Sequence, residues 1–468
     1  MAARTHVRPA TSTEASTVPF WLDSPARPEP TQALRGEAAT DLLIVGGGFT
    51  GLWAAMQAKE RDPSREVLLL ESHEIAFGAT GRNGGFLDPS LTHGLENGAR
   101  HFPGELRTLD KLARRNLEEL FATLDRYGID ADVERTGEMT LARRPHEIQG
   151  LREQHDLART LGIDSEWLEG AALRDEIRSP VFLAGRWERD TVALVDPAKL
   201  AWGLRNAALE LGVRIHEHSP VVAIDRDGKG MVAATERGRI RARRVLLATN
   251  GYPGLVRAID RRIVPVYDYV LVTEPLTSAQ RDAIGWGNRQ GLADASNRFH
   301  YFRLTPDDRI LWGGYDAVYH YGSGIRPEFD QRPATFDLLE RNFFETFPQL
   351  DPIRFSHRWG GVIDTSTRVC ATFGTAHRGR VAYSVGYTGL GLGASRFGAA
   401  VALDLLEGIP TERTELQLVR KKSVPFPPEP LRWAGVELTR NAMARADRSG
   451  RRGPWLRLLD ALKLGFDS

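Results

Sequence analysis

Cysteine is nearly absent: the 468 residues hold one, Cys370. A single thiol excludes an internal disulfide framework, a multi-cysteine metal site and an iron–sulfur cluster. Long apolar runs are absent as well. Nothing approaches the roughly 18 consecutive apolar residues that a membrane-crossing helix needs. Charge of one sign is also lacking. The 62 Lys and Arg oppose 61 Asp and Glu, and the net charge of +1 gives no global attraction to nucleic acid. Residues 1–17 lack the apolar segment of a secretory signal, and Glu14 with the prolines that follow opposes an amphipathic transit helix. The expectation is a cytoplasmic protein whose residues 1–36 form a mostly disordered arm, with Phe20-Trp21-Leu22 placed to dock on the body. No Ser-His-Asp pattern and no metal-ligand spacing is present, so no metal is expected. His216 and His218 alternate on one strand without a partner carboxylate and read as a half-exposed strand.

What is present is concentrated at residues 41–51, D-L-L-I-V-G-G-G-F-T-G. Gly46, Gly48 and Gly51 fit G-x-G-x-x-G. Gly46 permits the tight turn out of a strand, Gly48 lets a pyrophosphate approach the backbone, and Gly51 lets the next helix pack close. Phe49 and Thr50 open that helix, whose N-terminus offers free N–H groups to phosphate. The context supports the motif: a buried-type strand at 42–45, a helix at 52–59, and a second strand at 67–70 followed by Glu71. An acid there accepts hydrogen bonds from ribose hydroxyls and repels a 2′-phosphate. The alternative is a glycine turn of another α/β protein, with Glu71 a surface acid.

Further along, residues 104–127 carry leucines at helical spacing, 136–141 reads as a strand, and 146–178 reads as charged helix broken at Gly162. Asp196-Pro197 is a helix start and Gly212 its stop. Strands are expected at 213–216, 221–224 and 245–248, with a hairpin turn at 227–230. Residues 264–272, 299–304 and 310–313 read as antiparallel strands of a second sheet. A strand at 381–385 leads into G-Y-T-G-L-G-L-G and an Ala-rich helix.

Four blocks in this order, the glycine fingerprint, F-G-A-T-G-R-N-G-G-F, Y-F-R-L-T-P-D-D-R-I-L-W-G-G and V-A-Y-S-V-G-Y-T-G-L-G-L-G-A, resemble the D-amino-acid oxidase superfamily of FAD enzymes. The resemblance covers about residues 41–408 and is strongest to the gamma-glutamylputrescine oxidoreductase branch, related to sarcosine and glycine oxidases. It implies an α/β protein. A Rossmann-like, glutathione-reductase-like FAD domain (37–100, 190–262 and 355–412) would stand beside a discontinuous mixed-sheet α+β substrate domain (101–189 and 263–354). It implies that Gly46, Gly48 and Gly51 hold the pyrophosphate and Glu71 the adenosine ribose. Thr80, Gly81 and Arg82 would lie along the FAD, and Asn83, Gly84 and Gly85 would approach the isoalloxazine edge. Val222 would clasp the adenine with backbone groups, and Gly389, Leu390 and Gly391 would meet the flavin pyrimidine end. Arg82 itself reads either as a phosphate ligand or as a salt bridge.

The resemblance also implies the chemistry: a small-molecule amine is oxidised at the carbon beside nitrogen by hydride transfer to flavin N5. The imine is then hydrolysed, and electrons pass to oxygen or another acceptor. Departures from the family narrow it. The position where sarcosine oxidases attach flavin falls near Trp359-Gly360-Gly361, so the FAD is expected to be non-covalent. The strand matching their oxygen-activating lysine reads Ile310-Leu311-Trp312-Gly313. Their carboxylate-clamping cations fall at Asp88 and Gly393, and the arginine of glycine oxidases at Ile363. Without those cations a simple α-amino acid is disfavoured, because an unpaired buried carboxylate is costly. Asp88 is expected to hold an ammonium. His300, Tyr301 and Arg303 are the substrate-cavity candidates. Tyr301 and Arg303 share one strand face and His300 the other, so either set could line the cavity. Tyr267 and Tyr269 are weaker candidates.

Residues 424–430, V-P-F-P-P-E-P, form an extended spacer before a basic amphipathic tail that ends at 468. Trp455, Leu458, Leu459, Leu462 and Phe466 share one helical face, suited to covering the protein's own domain, a partner subunit or a membrane surface. Oligomeric state is not legible. Two other readings stay open: a flavoprotein dehydrogenase with a non-oxygen acceptor, and a non-catalytic FAD-holding subunit. An NADH-using reductase would need a second dinucleotide motif, and none is found.

Overall fold

A computed structural model describes residues 12–252 and 254–465. Two sheets organise the chain. Strand Gly36–Val45 lies centrally in the first, and its last four residues are buried, as a parallel strand covered on both faces requires. It pairs in parallel with Gly238–Leu247 on one side and Val67–Leu70 on the other. Arg214–His216 extends one edge, and Val381–Val385 with Thr372–Ala376 extends the other. A hairpin, Val221–Asp227 and Gly230–Thr235, leans on Gly238–Leu247. Strands from three distant stretches thus form one sheet, the discontinuity expected above.

Helix Phe49–Arg61 packs between helices Pro197–Glu210 and Gly391–Glu407, and its Ala54, Ala55 and Ala58 are fully buried. Small side chains let these helices approach closely. Helix Pro197–Glu210 starts at Asp196, whose Oδ1 accepts from the backbone N–H groups of Ala198 and Lys199 at 2.9 Å each. Such a cap stabilises a helix by about 1 kcal/mol.

The second sheet runs in the order Val318–Tyr319, Ile263–Thr273, Ile310–Gly314, His300–Leu304, Gly291–Asp294, Glu138–Ala142, Ala184–Glu188, Ser165–Glu169. One face packs Phe302, Trp312 and Tyr269 under helix Pro333–Thr346. Val270 and Leu311 join the core formed by the helices of the first sheet.

Four expectations are corrected. The described part of the N-terminal arm is packed on the body. Trp21 is 2% exposed and its Nε1 donates to the Asn83 carbonyl at 2.8 Å, while Ser16 pairs with strand residues Ser356 and Arg358. Its first 11 residues lie outside the described residues, as does Phe466. Strand Phe355–Ser366, placed in the FAD domain from sequence, pairs along Ile263–Thr273 in the second sheet, because its alternation completes that sheet's edge. Helix Leu106–Tyr127, placed in the substrate domain, packs on helix Gly391–Glu407 of the first, where Leu117, Leu120 and Leu124 find their apolar partners. Residues 146–178 break near Gly162 as expected, but the part beyond it is not all helix. Ser165–Glu169 is a strand between helices Glu147–Thr160 and Gly170–Glu176, paired with Ala184–Glu188.

Candidate active site

Where the sheets meet lies a cavity of about 1090 Å³. Its floor is the start of helix Phe49–Arg61. Gly46 turns at φ +111° and a Cβ there would meet the Ala248 carbonyl oxygen at 2.4 Å. At Gly51 a Cβ would sit 1.9 Å from the Gly46 oxygen, so the first turn closes only with glycine. Gly48 borders the cavity, and a Cβ on it would point at Thr80 Oγ1, 2.9 Å away. Thr80 Oγ1 accepts from the Phe49 N–H at 3.1 Å, which ties the loop at 79–85 to the helix start. Thr50 and Phe49 border the cavity, and the Thr50 hydroxyl donates to the Tyr387 hydroxyl. Glu71 reaches back to this turn, its Oε2 accepting from the Gly47 N–H at 2.6 Å. Val222 is 59% exposed in the edge hairpin, outside the cavity lining.

The loop at 79–85 runs along one wall. The Asn83 side chain donates to the carbonyls of Ala79 and Thr80 and accepts from the Gly85 N–H. This cross-bracing leaves Gly84 facing the ring of Tyr301, with a would-be Cβ 2.7 Å from it. Gly81 fits closely against the Ala76 carbonyl and Leu22. Arg82 corrects the phosphate reading. Its Nη1 donates to Asp330 Oδ2 and to the Gly360 carbonyl, both at 2.7 Å, and its Nε to the Phe77 carbonyl at 2.9 Å. The guanidinium therefore ties the loop at 79–85 to the second sheet, where a half-buried acid holds it.

Opposite, the N-terminus of helix Gly391–Glu407 approaches through Gly389 (φ +95°), Leu390 and Gly391, all lining the cavity. Buried Asp364 accepts from the backbone N–H groups of Gly386 and Tyr387 and fixes this loop. Burial raises its pKa to about 7. Ile363, where glycine oxidases would carry an arginine, lines the cavity as an apolar residue.

The substrate-side wall is acidic. Asp88, Glu138 and Glu188 line the cavity with Arg186, whose Nη1 pairs with Glu188 Oε1 at 2.8 Å. Loss of water raises the Asp88 pKa to about 6, and that of Glu138 to about 8 with help from the neighbouring acids. At neutral pH Glu138 keeps its proton, and the carboxylates of Asp88 and Glu188 still exceed the charge of one arginine, an excess that a bound cation would relieve.

Tyr301 lines the cavity, and its hydroxyl donates to Asp268 Oδ2 at 2.6 Å. The other two strand candidates are corrected. His300 is fully buried on the opposite face, stacked on Trp312 and Tyr315 and bonded to Asn342 and the Gly313 carbonyl. Arg303 shares the Tyr301 face but is fully buried one residue pair further on, donating to the carbonyls of Val195 and Gly85. It braces the glycine loop and does not border the cavity. Tyr269 belongs to the core. Trp312 is buried away from the cavity, and no lysine is among the described lining residues.

Sequence reasoning missed Glu138, Arg186, Glu188, Asp268 and Asp364. Only Asp268 carried a usable signal: it sits between two apolar-facing tyrosines, so period two turns it to the other side of the sheet. The roof is the amphipathic tail, in one of the placements its apolar face allowed. Residues of helices Leu431–Ser449 and Pro454–Ala461, among them Leu438, Met443, Trp455 and Leu459, close the cavity. Arg440 on Asp316, Glu429 on Tyr319, and Asp447 on Asn297 fasten them down. The tail therefore covers its own chain. Cys370 is buried in a separate apolar cluster, where loss of water raises its pKa.

Comparison with known proteins agrees with this geometry. The family model described as FAD dependent oxidoreductase (DAO) matches residues 41–405. The gamma-glutamylputrescine oxidoreductase of Escherichia coli is 29% identical over 401 residues, 83% of this chain and 88% of that protein. The probable oxidoreductase OrdL of Haemophilus influenzae is 26% identical over 384 residues, 79% and 83% of the two chains. Among solved structures, glycine oxidase from Geobacillus kaustophilus superposes with a TM-score of 0.65 at 19% identity, covering 80% of this chain and 96% of that one.

Proposed function

Since this chain belongs to the DAO family of FAD-dependent oxidoreductases, acting on amines or amino acids, we propose that it oxidises the C–N bond of a primary or secondary amine. The substrate is closer in kind to gamma-glutamylputrescine than to a simple α-amino acid. This cradle suits FAD: Gly46, Gly48 and Gly51 open the helix, and glycines border the cavity at Gly84, Gly389 and Gly391. Bound there, FAD would supply a two-electron acceptor for the hydride leaving the carbon beside nitrogen. The chain supplies position and charge. The N-terminus of helix Phe49–Arg61 faces the pyrophosphate and the loop at 389–391 the pyrimidine end. Tyr301 and Gly84 border the reacting region, and the roof excludes water. Non-covalent attachment fits the burial of Cys370, which is not among the described lining residues.

One observation carries the choice of substrate class, the acidic wall of Asp88, Glu138 and Glu188 around a single Arg186. Of the described lining arginines, all but Arg432, which donates to the Pro427 carbonyl and the Ser323 hydroxyl, are paired with an acid. Arg82 is held by Asp330, Arg114 by Asp110, Arg298 by Asp447 and Tyr315, and Arg440 by Asp316. An ammonium group is complementary to this wall, and an α-carboxylate is not. A non-oxygen electron acceptor is a second reading, favoured by the lack of lysine among the described lining residues. Anaerobic titration of the yellow holoprotein with alkylamines, glycine and sarcosine tests the proposal. Alkylamines are expected to bleach the flavin faster, and bleaching by glycine or sarcosine ahead of every alkylamine overturns it. Comparing reoxidation of the bleached enzyme by oxygen and by an artificial quinone then separates the two acceptors.

A further inference from the structure

Tyr301 is held by three neighbours on three elements. Its strand, His300–Leu304, pairs with Ile310–Gly314 so that Tyr301 stands opposite Gly313. A Cβ on Gly313 would lie 2.5 Å from the tyrosine hydroxyl oxygen, so the ring crosses that strand only because glycine leaves the space. Gly84 closes over the ring from the other side. Beyond Gly313 the hydroxyl meets Asp268 of strand Ile263–Thr273. Both residues border the cavity. A phenol has one hydrogen and two lone pairs. With the hydrogen directed at a carboxylate, what remains for the cavity is acceptor only.

We propose that Asp268 is a positioning residue: it turns the Tyr301 hydroxyl hydrogen out of the cavity, so that the phenol oxygen accepts the substrate's N–H and the enzyme selects amines that carry one. This rests on the amine reading above and specifies it further. Hydride can leave carbon only after the ammonium has given up its extra proton to water, so that the nitrogen lone pair is free to form the C=N bond. An N–H···O bond to Tyr301 holds the nitrogen by its hydrogen and leaves that lone pair unengaged. A neutral tertiary amine has no such hydrogen and loses the contact.

The charge state of Asp268 sets the arrangement. Besides Tyr301, it faces the backbone N–H groups of Tyr269 and Gly314 and the charge of Asp316. Asp316 is itself held by Arg332 and Arg440. On the neighbouring strand Phe355–Ser366 its register partner is Gly361, against which the paired Arg82 packs. Burial raises the Asp268 pKa to about 6. Above that pH the carboxylate can only accept the phenol hydrogen; below it the acid carries a proton that it can itself donate to the phenol oxygen, which frees the phenol hydrogen to turn toward the cavity.

The test is anaerobic stopped-flow reduction of the holoenzyme by butylamine, N-methylbutylamine and N,N-dimethylbutylamine. For the native enzyme the dimethyl compound is expected to be at least about tenfold poorer in reduction rate over dissociation constant, the worth of one hydrogen bond in a dry site. Tyr301→Phe is expected to bring the three within about threefold of one another, chiefly by slowing the first two. Asp268→Asn keeps an acceptor for the phenol and is expected to keep the ranking, but to lose the rise in rate through about pH 6 that the native enzyme shows. If Tyr301→Phe preserves the tenfold gap, or Asp268→Asn preserves the pH limb, the inference fails while the amine reading stands. If none of the three amines reduces the flavin and other substrates do, the amine reading falls and takes the inference with it.

Discussion

Gly393 packs directly on the backbone of Asp88: a Cβ on the glycine would lie 2.2 Å from the aspartate carbonyl oxygen. This contact seats the N-terminus of helix Gly391–Glu407 against the loop that carries the acidic wall. It joins the two positions where related oxidases would place carboxylate-binding cations. Gly393→Ala forces the backbones apart and is expected to cost about 1–3 kcal/mol, the usual penalty of overpacking. Thermal unfolding and the ratio of flavin to protein absorbance measure it, and both should fall.

Arg82 and Gly48 make opposite predictions. Gly48→Val places a branched side chain against Thr80 at the helix start, where the backbone must meet phosphate, and should give folded, colourless protein. Arg82→Met leaves Asp330 without its cation and strands two carbonyls, so it should lower stability by about 3 kcal/mol. It should still purify with flavin. A variant with native urea midpoint and lost flavin would return Arg82 to the phosphate.

Glu138 gives the protein a pH signature. Its folded pKa of about 8 stands above the ordinary 4.5, mainly from loss of water. The folded state therefore holds a proton that the unfolded state releases, and this group's contribution is full below about pH 4.5 and lost as pH rises through about 8. Glu138→Gln should leave Tm little changed in acid and raise it progressively above the native protein toward about pH 8. An equal offset at all pH values would contradict the assignment.

The C-terminal roof lies outside the matched family segment, which ends at 405. Removing residues 424–468 takes away Leu438, Met443 and Trp455 from the cavity but none of the glycines at its floor. Flavin content should persist, while the amine concentration for half-maximal reduction should rise about tenfold or more. Unchanged amine dependence would mean that the roof plays no part in binding.

The glycine turn that we propose holds the cofactor was legible because its requirements are local. A turn that admits only glycine, and an acid at the end of the next strand, are written within some 25 consecutive residues, and Gly46, Gly51 and Glu71 stand where that spacing put them. The substrate half was not. Glu138 and Glu188 meet through the register of the second sheet, and Asp88 joins them from the loop after Leu87. Strand alternation gave two faces for residues 300–303 without saying which met the cavity. It could not foresee that Arg303, on the correct face, would be drawn onto the Gly85 and Val195 carbonyls. Helix Leu106–Tyr127 was read correctly as a helix, yet its leucines did not tell which domain they would join.

Anaerobic visible spectroscopy of the purified holoprotein during addition of butylamine, with glycine and sarcosine as controls, tests the central claim most directly. The account predicts a flavin spectrum that bleaches with the amine and only weakly with the two amino acids. Folded protein that is colourless and takes up no added FAD, or flavin that bleaches with glycine but with no alkylamine, would contradict it.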